Sequence, residues 1–154
     1  MKTKFLKMTA PLLAGMAVVV CSMVYAHAKP KPPKDKIIPA KVLAAMTFKN
    51  VEFEFNKATV PESAYATLNK VAKLMVDNDA ALKLGGYADN KGGYVYNWKL
   101  SKARADAVKA YLIKSGAKES RIAATEYGYT KPVATNATAN GRKKNRRVEI
   151  KFAE

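Results

Sequence analysis

The sequence holds one cysteine and one histidine in 154 residues. A lone cysteine excludes an intrachain disulfide framework, and a lone histidine leaves no histidine-rich metal site. Acidic residues are also scarce, with 12 Asp and Glu against 28 Lys and Arg, a formal charge of +16. That imbalance calls for an anionic partner, which nucleic acid, an acidic lipid surface or the acidic polymers of a cell envelope would each supply. The length suits one domain with a real core and is short for two.

Compartment decides among those partners, and the N-terminus speaks to it. Lys2, Lys4 and Lys7 form a positive start, Met8 to Val24 carries no charge and is mostly apolar, and Ala26-His27-Ala28 follows. Small residues at −3 and −1 of a cut before Lys29 make residues 1–28 a secretory signal peptide. Two alternatives stay open. Lipidation at Cys21 would need a small residue before it, where the sequence has Val18-Val19-Val20, and retention as an anchor would rest on a short apolar run interrupted by Pro11.

Cleavage removes three lysines and no acid, leaving 25 basic and 12 acidic residues and a net charge of +13. It also removes Cys21 and His27. Serine–histidine and cysteine–histidine catalysis and Cys/His zinc sites then have no residues to use. No metal, cofactor or catalytic group is expected, and export to the envelope takes nucleic acid off the list of partners.

The next stretch, Lys29 to Ala40, has four prolines and four lysines. Extended polyproline conformation would let it reach roughly 35 Å, and residues 29–46 are expected to be a linker ahead of a domain at 47–154. Within that domain Val51-Glu52-Phe53-Glu54-Phe55 alternates as a half-exposed strand. Pro61-Glu62 opens a helix whose apolar face is Ala64, Leu68, Val71, Ala72 and Met75. Leu82, Leu84, Gly86 and Ala88 alternate along a second strand, and Asp89 to Gly93 is a loop.

A second helix is expected from Asn97 as N-cap, presenting Leu100, Ala103, Ala107, Val108, Tyr111 and Leu112 to the core, with Gly116 as its left-handed stop. Ile122 to Tyr127 reads as a third strand. A polar loop with Pro132 follows, including the basic run Gly141 to Arg147 as a solvated loop or a contact to wall carboxylates and outer-membrane phosphates, and Val148, Ile150 and Phe152 alternate in a last strand. The order β-α-β-α-β-β implies an α+β two-layer sandwich, two helices on a four-stranded mixed sheet.

An acid at a strand end and an arginine two turns into the next helix can converge, because residues 97 to 104 advance only about 10 Å. Gly86-Tyr87-Ala88-Asp89, Asn97-Trp98-Lys99-Leu100-Ser101-Lys102-Ala103-Arg104-Ala105 and Asn145-Arg146-Arg147-Val148-Glu149-Ile150 carry a resemblance here. In order and spacing they resemble the peptidoglycan-associating domain shared by OmpA, the Pal lipoprotein and MotB. The likeness runs over roughly residues 47 to 153 and includes Phe53-Glu54-Phe55-Asn56, Gly116, Arg121-Ile122, Gly128, Pro132 and Gly141-Arg142.

The resemblance implies non-covalent binding of the peptidoglycan stem peptide at diaminopimelate, in the periplasm or cell envelope, with other envelope or outer-membrane proteins as further partners. It assigns the two anchors to Asp89 and Arg104, a carboxylate for the ligand ammonium and a guanidinium for its carboxylate. Asn97 and Arg146 are second-rank ligand residues, each with a plain alternative: helix capping for Asn97, a surface charge for Arg146. Asn56 stands where the family usually has Asp, and Tyr87-Ala88 where it usually has His-Thr.

Two other classes remain. A carboxylate-dependent glycan hydrolase would need two acids roughly 5–9.5 Å apart, and Asp89 has no acidic neighbour in its loop. A basic nucleic-acid-binding module would return if the N-terminal segment were not an export signal. For Asp89 with Arg104 alone, the plain reading is a surface salt bridge worth less than about 1 kcal/mol.

Overall fold

The computed structural model describes residues 37–154. The export segment, Cys21, the cut after Ala28 and the Lys/Pro run to residue 36 lie outside the described residues. The elements are α1 (Ala40–Ala44), β1 (Val51–Glu52), α2 (Tyr65–Asn78), β2 (Leu82–Gly86), α3 (Tyr94–Lys114), β3 (Ile122–Glu126), α4 (Ala139–Asn145) and β4 (Arg147–Phe152).

The four strands form one mixed sheet in the order β1-β4-β2-β3. β2 and β3 run parallel from Leu82↔Ile122 to Gly86↔Glu126, joined by the α3 crossover. β4 returns antiparallel between β2 and β1, pairing Phe152 with Leu82 and Val148 with both Gly86 and Val51. One face of the sheet, carrying Leu82, Leu84, Ile122, Val148, Ile150 and Phe152, packs against Leu68, Val71, Ala72 and Met75 of α2 and Val108 and Leu112 of α3. This is the expected α+β sandwich, with two short helices added.

The first of these falls in the described part, residues 37–46, of the linker expected over 29–46. Leu43 of α1 is buried in the core, Phe48 meets Phe152 edge to face at 5.7 Å, and the Ile38 N–H donates to Asn78 Oδ1 at 2.6 Å. Leu43 and Phe48, which follow the last proline of the run, supply this packing, and the folded unit already includes Ile38.

β1 is shorter than its alternation suggests. The Phe53 N–H still bonds the Arg146 carbonyl at 2.7 Å, but Asn56 then takes a left-handed φ of 59° and the chain turns away. Asparagine tolerates that conformation better than most residues. α2 carries the expected apolar face after a 3₁₀ turn over Glu62–Ala64.

α3 departs most from expectation. It starts at Tyr94, with Gly93 as its N-cap, so Asn97 lies inside the first turn and is no cap. Its buried face reads Asn97, Ser101, Arg104, Ala105, Val108 and Leu112, whereas Leu100, Ala107 and Tyr111 are half-buried and Ala103 is exposed. The N-terminal half of the helix sits under loops rather than over the sheet core, so it buries polar side chains that bond those loops. Gly86 makes the approach possible, since a Cβ there would collide with the Ser101 carbonyl. Gly116 ends the helix as expected at φ 101°, with the Ala117 N–H on the Leu112 carbonyl at 3.0 Å.

Candidate ligand-binding site

The C-terminal end of β2 delivers Asp89 to a crowded corner. The Tyr87 and Ala88 N–H groups continue the ladder onto the Arg147 and Gly128 carbonyls at 2.9 and 2.8 Å, and the loop then turns on Asp89 itself. Asp89 Oδ1 accepts the Lys91 N–H at 2.9 Å, an Asx turn, and Oδ2 accepts Arg146 Nη1 at 2.9 Å. Both side chains are nearly buried, with Asp89 3% and Arg146 9% exposed. Arg146 is therefore no free surface charge. Its Nε also donates to the Phe53 carbonyl at 3.0 Å, so one guanidinium ties the end of α4 to the β2 loop and to the exit of β1.

Asp89 thus pairs with Arg146, and the surface bridge to Arg104, the plain alternative for these two residues, is not formed. Arg104 is wholly buried and spends its donors on backbone: Nε on Lys57 O at 2.9 Å, Nη1 on Tyr87 O at 3.0 Å and Nη2 on Glu54 O at 3.3 Å. It pins the Glu54–Lys57 turn, which carries Phe55 and Asn56, against the end of β2. Burial, then the nearby Arg146 guanidinium, hold Arg104 down to about 10 while Asp89 works the other way. It is still a cation at neutral pH. The corner therefore encloses two guanidiniums and one carboxylate, an uncompensated positive charge that an anion would relieve.

Asn97 lies beneath the same loop. Its Nδ2 donates to the Lys91 and Gly92 carbonyls at 3.0 and 3.2 Å, while Oδ1 is buried without a partner among the described residues. A buried acceptor left open is rare in folded proteins. Asn56 is exposed on the turn pinned by Arg104. Ser101 is structural, its Oγ donating to Trp98 O at 2.8 Å and accepting the Gly128 N–H at 3.0 Å.

The basic run Gly141 to Arg147 is no solvated loop. Thr138 caps α4 by accepting the Gly141 N–H at 3.0 Å, and only Lys143 and Lys144 are fully exposed. Asn145 is buried with all its amide capacity used, on Val133, Ala134 and Asn136. Arg147 lies 3.8 Å over the Tyr87 ring and bonds Glu149 Oε1 through Nε and Nη2 at 2.9 and 2.6 Å. Tyr87 also stacks on Tyr127 at 5.0 Å, and Trp98 on Tyr94 at 5.7 Å, so these rings pack on one another.

Beside the Asp89–Arg146 pair lies an open depression of about 330 Å³ lined by Phe55, Lys91, Ala139, Arg142 and Arg146. Phe55 and Lys91 are not ligand candidates in the sequence, and Arg142 enters there as part of the basic run. The only sequence signal for them is nearness to the loop aspartate and to the basic run. No acid lines the depression, and the described residues hold no cluster of three His, Cys, Asp or Glu for a metal.

A model described as the OmpA family matches residues 52–146, which spans every residue of this corner. The chain belongs to the OmpA family. Outer membrane porin F of Pseudomonas fluorescens is 44% identical over 101 residues, covering 65% of this chain and 31% of that protein. Peptidoglycan-binding protein ArfA of Mycobacterium tuberculosis is 37% identical over 138 residues, 88% of this chain and 42% of that protein. The chain thus spans less than half the length of either relative. Among solved structures, the peptidoglycan-associated lipoprotein from Burkholderia pseudomallei superposes with a TM-score of 0.66 at 26% identity, covering 68% of this chain and 90% of that one. As an OmpA family member the chain places its matched region around the Asp89 corner and leaves α1 outside it.

Proposed function

We propose that this OmpA family domain binds the stem peptide of peptidoglycan without chemistry, grips its diaminopimelate, and so anchors or organises the bacterial envelope from the periplasmic side. The observation that carries the reading is the buried trio of Asp89, Arg104 and Arg146 beside an open, acid-free depression. The side-chain end of diaminopimelate has an ammonium and a carboxylate on one carbon. Asp89, with the open Oδ1 of Asn97 as a neutral second acceptor, suits the ammonium. Arg146, with the buried charge of Arg104 behind it, suits the carboxylate. Asn56 adds a weak acceptor at the lip. The names of the relatives agree, ArfA as a peptidoglycan-binding protein and the Burkholderia protein as a peptidoglycan-associated lipoprotein.

The test is co-sedimentation of the full chain with isolated peptidoglycan sacculi. Binding is expected at moderate salt and is expected to survive salt better than a purely electrostatic attraction, because the paired charges are shielded from the ionic atmosphere. Asp89→Ala, Arg104→Ala and Arg146→Ala should each abolish it, and Asn97→Ala should weaken it. If all four variants, checked for folding, sediment like the parent, the site assignment is wrong.

A further inference from the structure

Building on the wall-peptide reading of the central site, we infer that Arg142 and Lys91 form a second anion subsite on its rim, which takes a free carboxylate of the bound peptide and disfavours the corresponding carboxamide. The depression has three cationic side chains, Lys91, Arg142 and Arg146, and no acidic one. Arg146 is turned inward onto Asp89 and Phe53. Arg142 is not. Both of its described bonds leave from Nη1, to the Asn136 and Ala137 carbonyls at 2.8 and 2.9 Å. Its guanidinium is therefore oriented by protein, while Nε and Nη2 have no partner among the described residues.

The loop that carries those carbonyls is anchored nearby, since the buried Asn145 amide donates to Ala134 O and to the Asn136 side-chain Oδ1. An oriented guanidinium with an unspent edge matches the two oxygens of a carboxylate. Lys91 stands two residues after Asp89, with its backbone N–H on that carboxylate, and its exposed ammonium has no bond or ion pair among the described residues. A carboxamide offers this rim one neutral oxygen and turns an NH₂ toward two cations. Charge complementarity thus selects peptides that carry a further free acid beyond the diaminopimelate carboxylate.

Calorimetric titration of the full chain with a wall tripeptide tests this, the peptide being prepared with the α-carboxyl of its γ-linked glutamyl unit either free or amidated. The free acid is expected to bind roughly fivefold tighter, the size of a partly exposed ion pair. Arg142→Gln should bring the ratio close to one by weakening the free acid alone. Lys91→Gln, at an exposed side chain, should lower it part-way, and free diaminopimelate should still bind both variants. Equal affinities of the parent for the two peptides, or a ratio that survives both substitutions, overturns the rim subsite while diaminopimelate binding still supports the central one. Failure of the parent to bind either peptide or diaminopimelate overturns both.

Discussion

Arg146 Nη1 donates to Asp89 Oδ2 at 2.9 Å across 57 residues of sequence, and both side chains are almost fully withdrawn from water. Removing one member leaves the other as an uncompensated buried charge, which costs about 3–5 kcal/mol in comparable pairs. Asp89→Ala and Arg146→Met should each lower stability by about that amount in urea denaturation, and the double variant should cost clearly less than their sum. Strict additivity would show that the two side chains do not act as a pair.

Capping of α4 should matter for binding as well as for the fold. Thr138 Oγ1 accepts the Gly141 N–H, and the helix it starts carries Arg142 and delivers Arg146. Thr138→Ala is expected to cost about 1 kcal/mol, a fall of about 4 °C in Tm. Thr138→Ser, which keeps the acceptor, should restore most of it. Equal melting of the alanine and serine variants would remove the cap from the account.

Gly86→Ala is expected to be the most damaging small substitution in the sheet. The added methyl would meet the Ser101 backbone carbonyl, which no side-chain rotation can relieve. A loss of about 3 kcal/mol, with α3 displaced, should appear as a lower Tm and weaker retention on sacculi. Parent-like stability would mean that the helix and strand do not approach so closely.

Tyr87 gives a pH signature. Burial first, and then the Glu149 carboxylate, push its phenol up to about 12 from an unfolded value near 10. The folded state holds that proton more tightly. Its contribution to stability is therefore complete below pH 10 and is lost as pH rises from 10 through 12. Comparing the parent with Tyr87→Phe at pH 9 and pH 11 isolates this group from the lysines, and the parent should lose more stability over that interval. Parallel losses would place the phenol in water.

Much of the fold was legible because apolar periodicity reports burial in a core. Leu68, Val71, Ala72 and Met75 on α2 and Val148, Ile150 and Phe152 on β4 pack as their spacing suggests. The start of α3 was not legible, because its buried face there is Asn97, Ser101 and Arg104, polar groups satisfied by loop backbone rather than by a hydrophobic layer. The same holds for α4, where Arg142 and Asn145 read as polar surface until the carbonyls that receive them are in place. At the site, Asp89, Arg104 and Arg146 were all named from sequence and do converge. Which arginine meets the acid depends on where α4 ends, and no local pattern in a run of basic residues encodes that.

The polarity of β2 has a mechanical consequence. Its first residue, Leu82, lies at the end of the sheet where Ala153 N–H reaches Ala81 O and the Ile38 N–H is held by Asn78, whereas its last, Gly86, leads into Asp89. Tension applied between those two ends runs along the strand axis. Such a pull would be carried along the backbone of β2 itself, which five register pairs hold to β3 on one side and five to β4 on the other. The sheet is oriented to carry a pull from one end to the other.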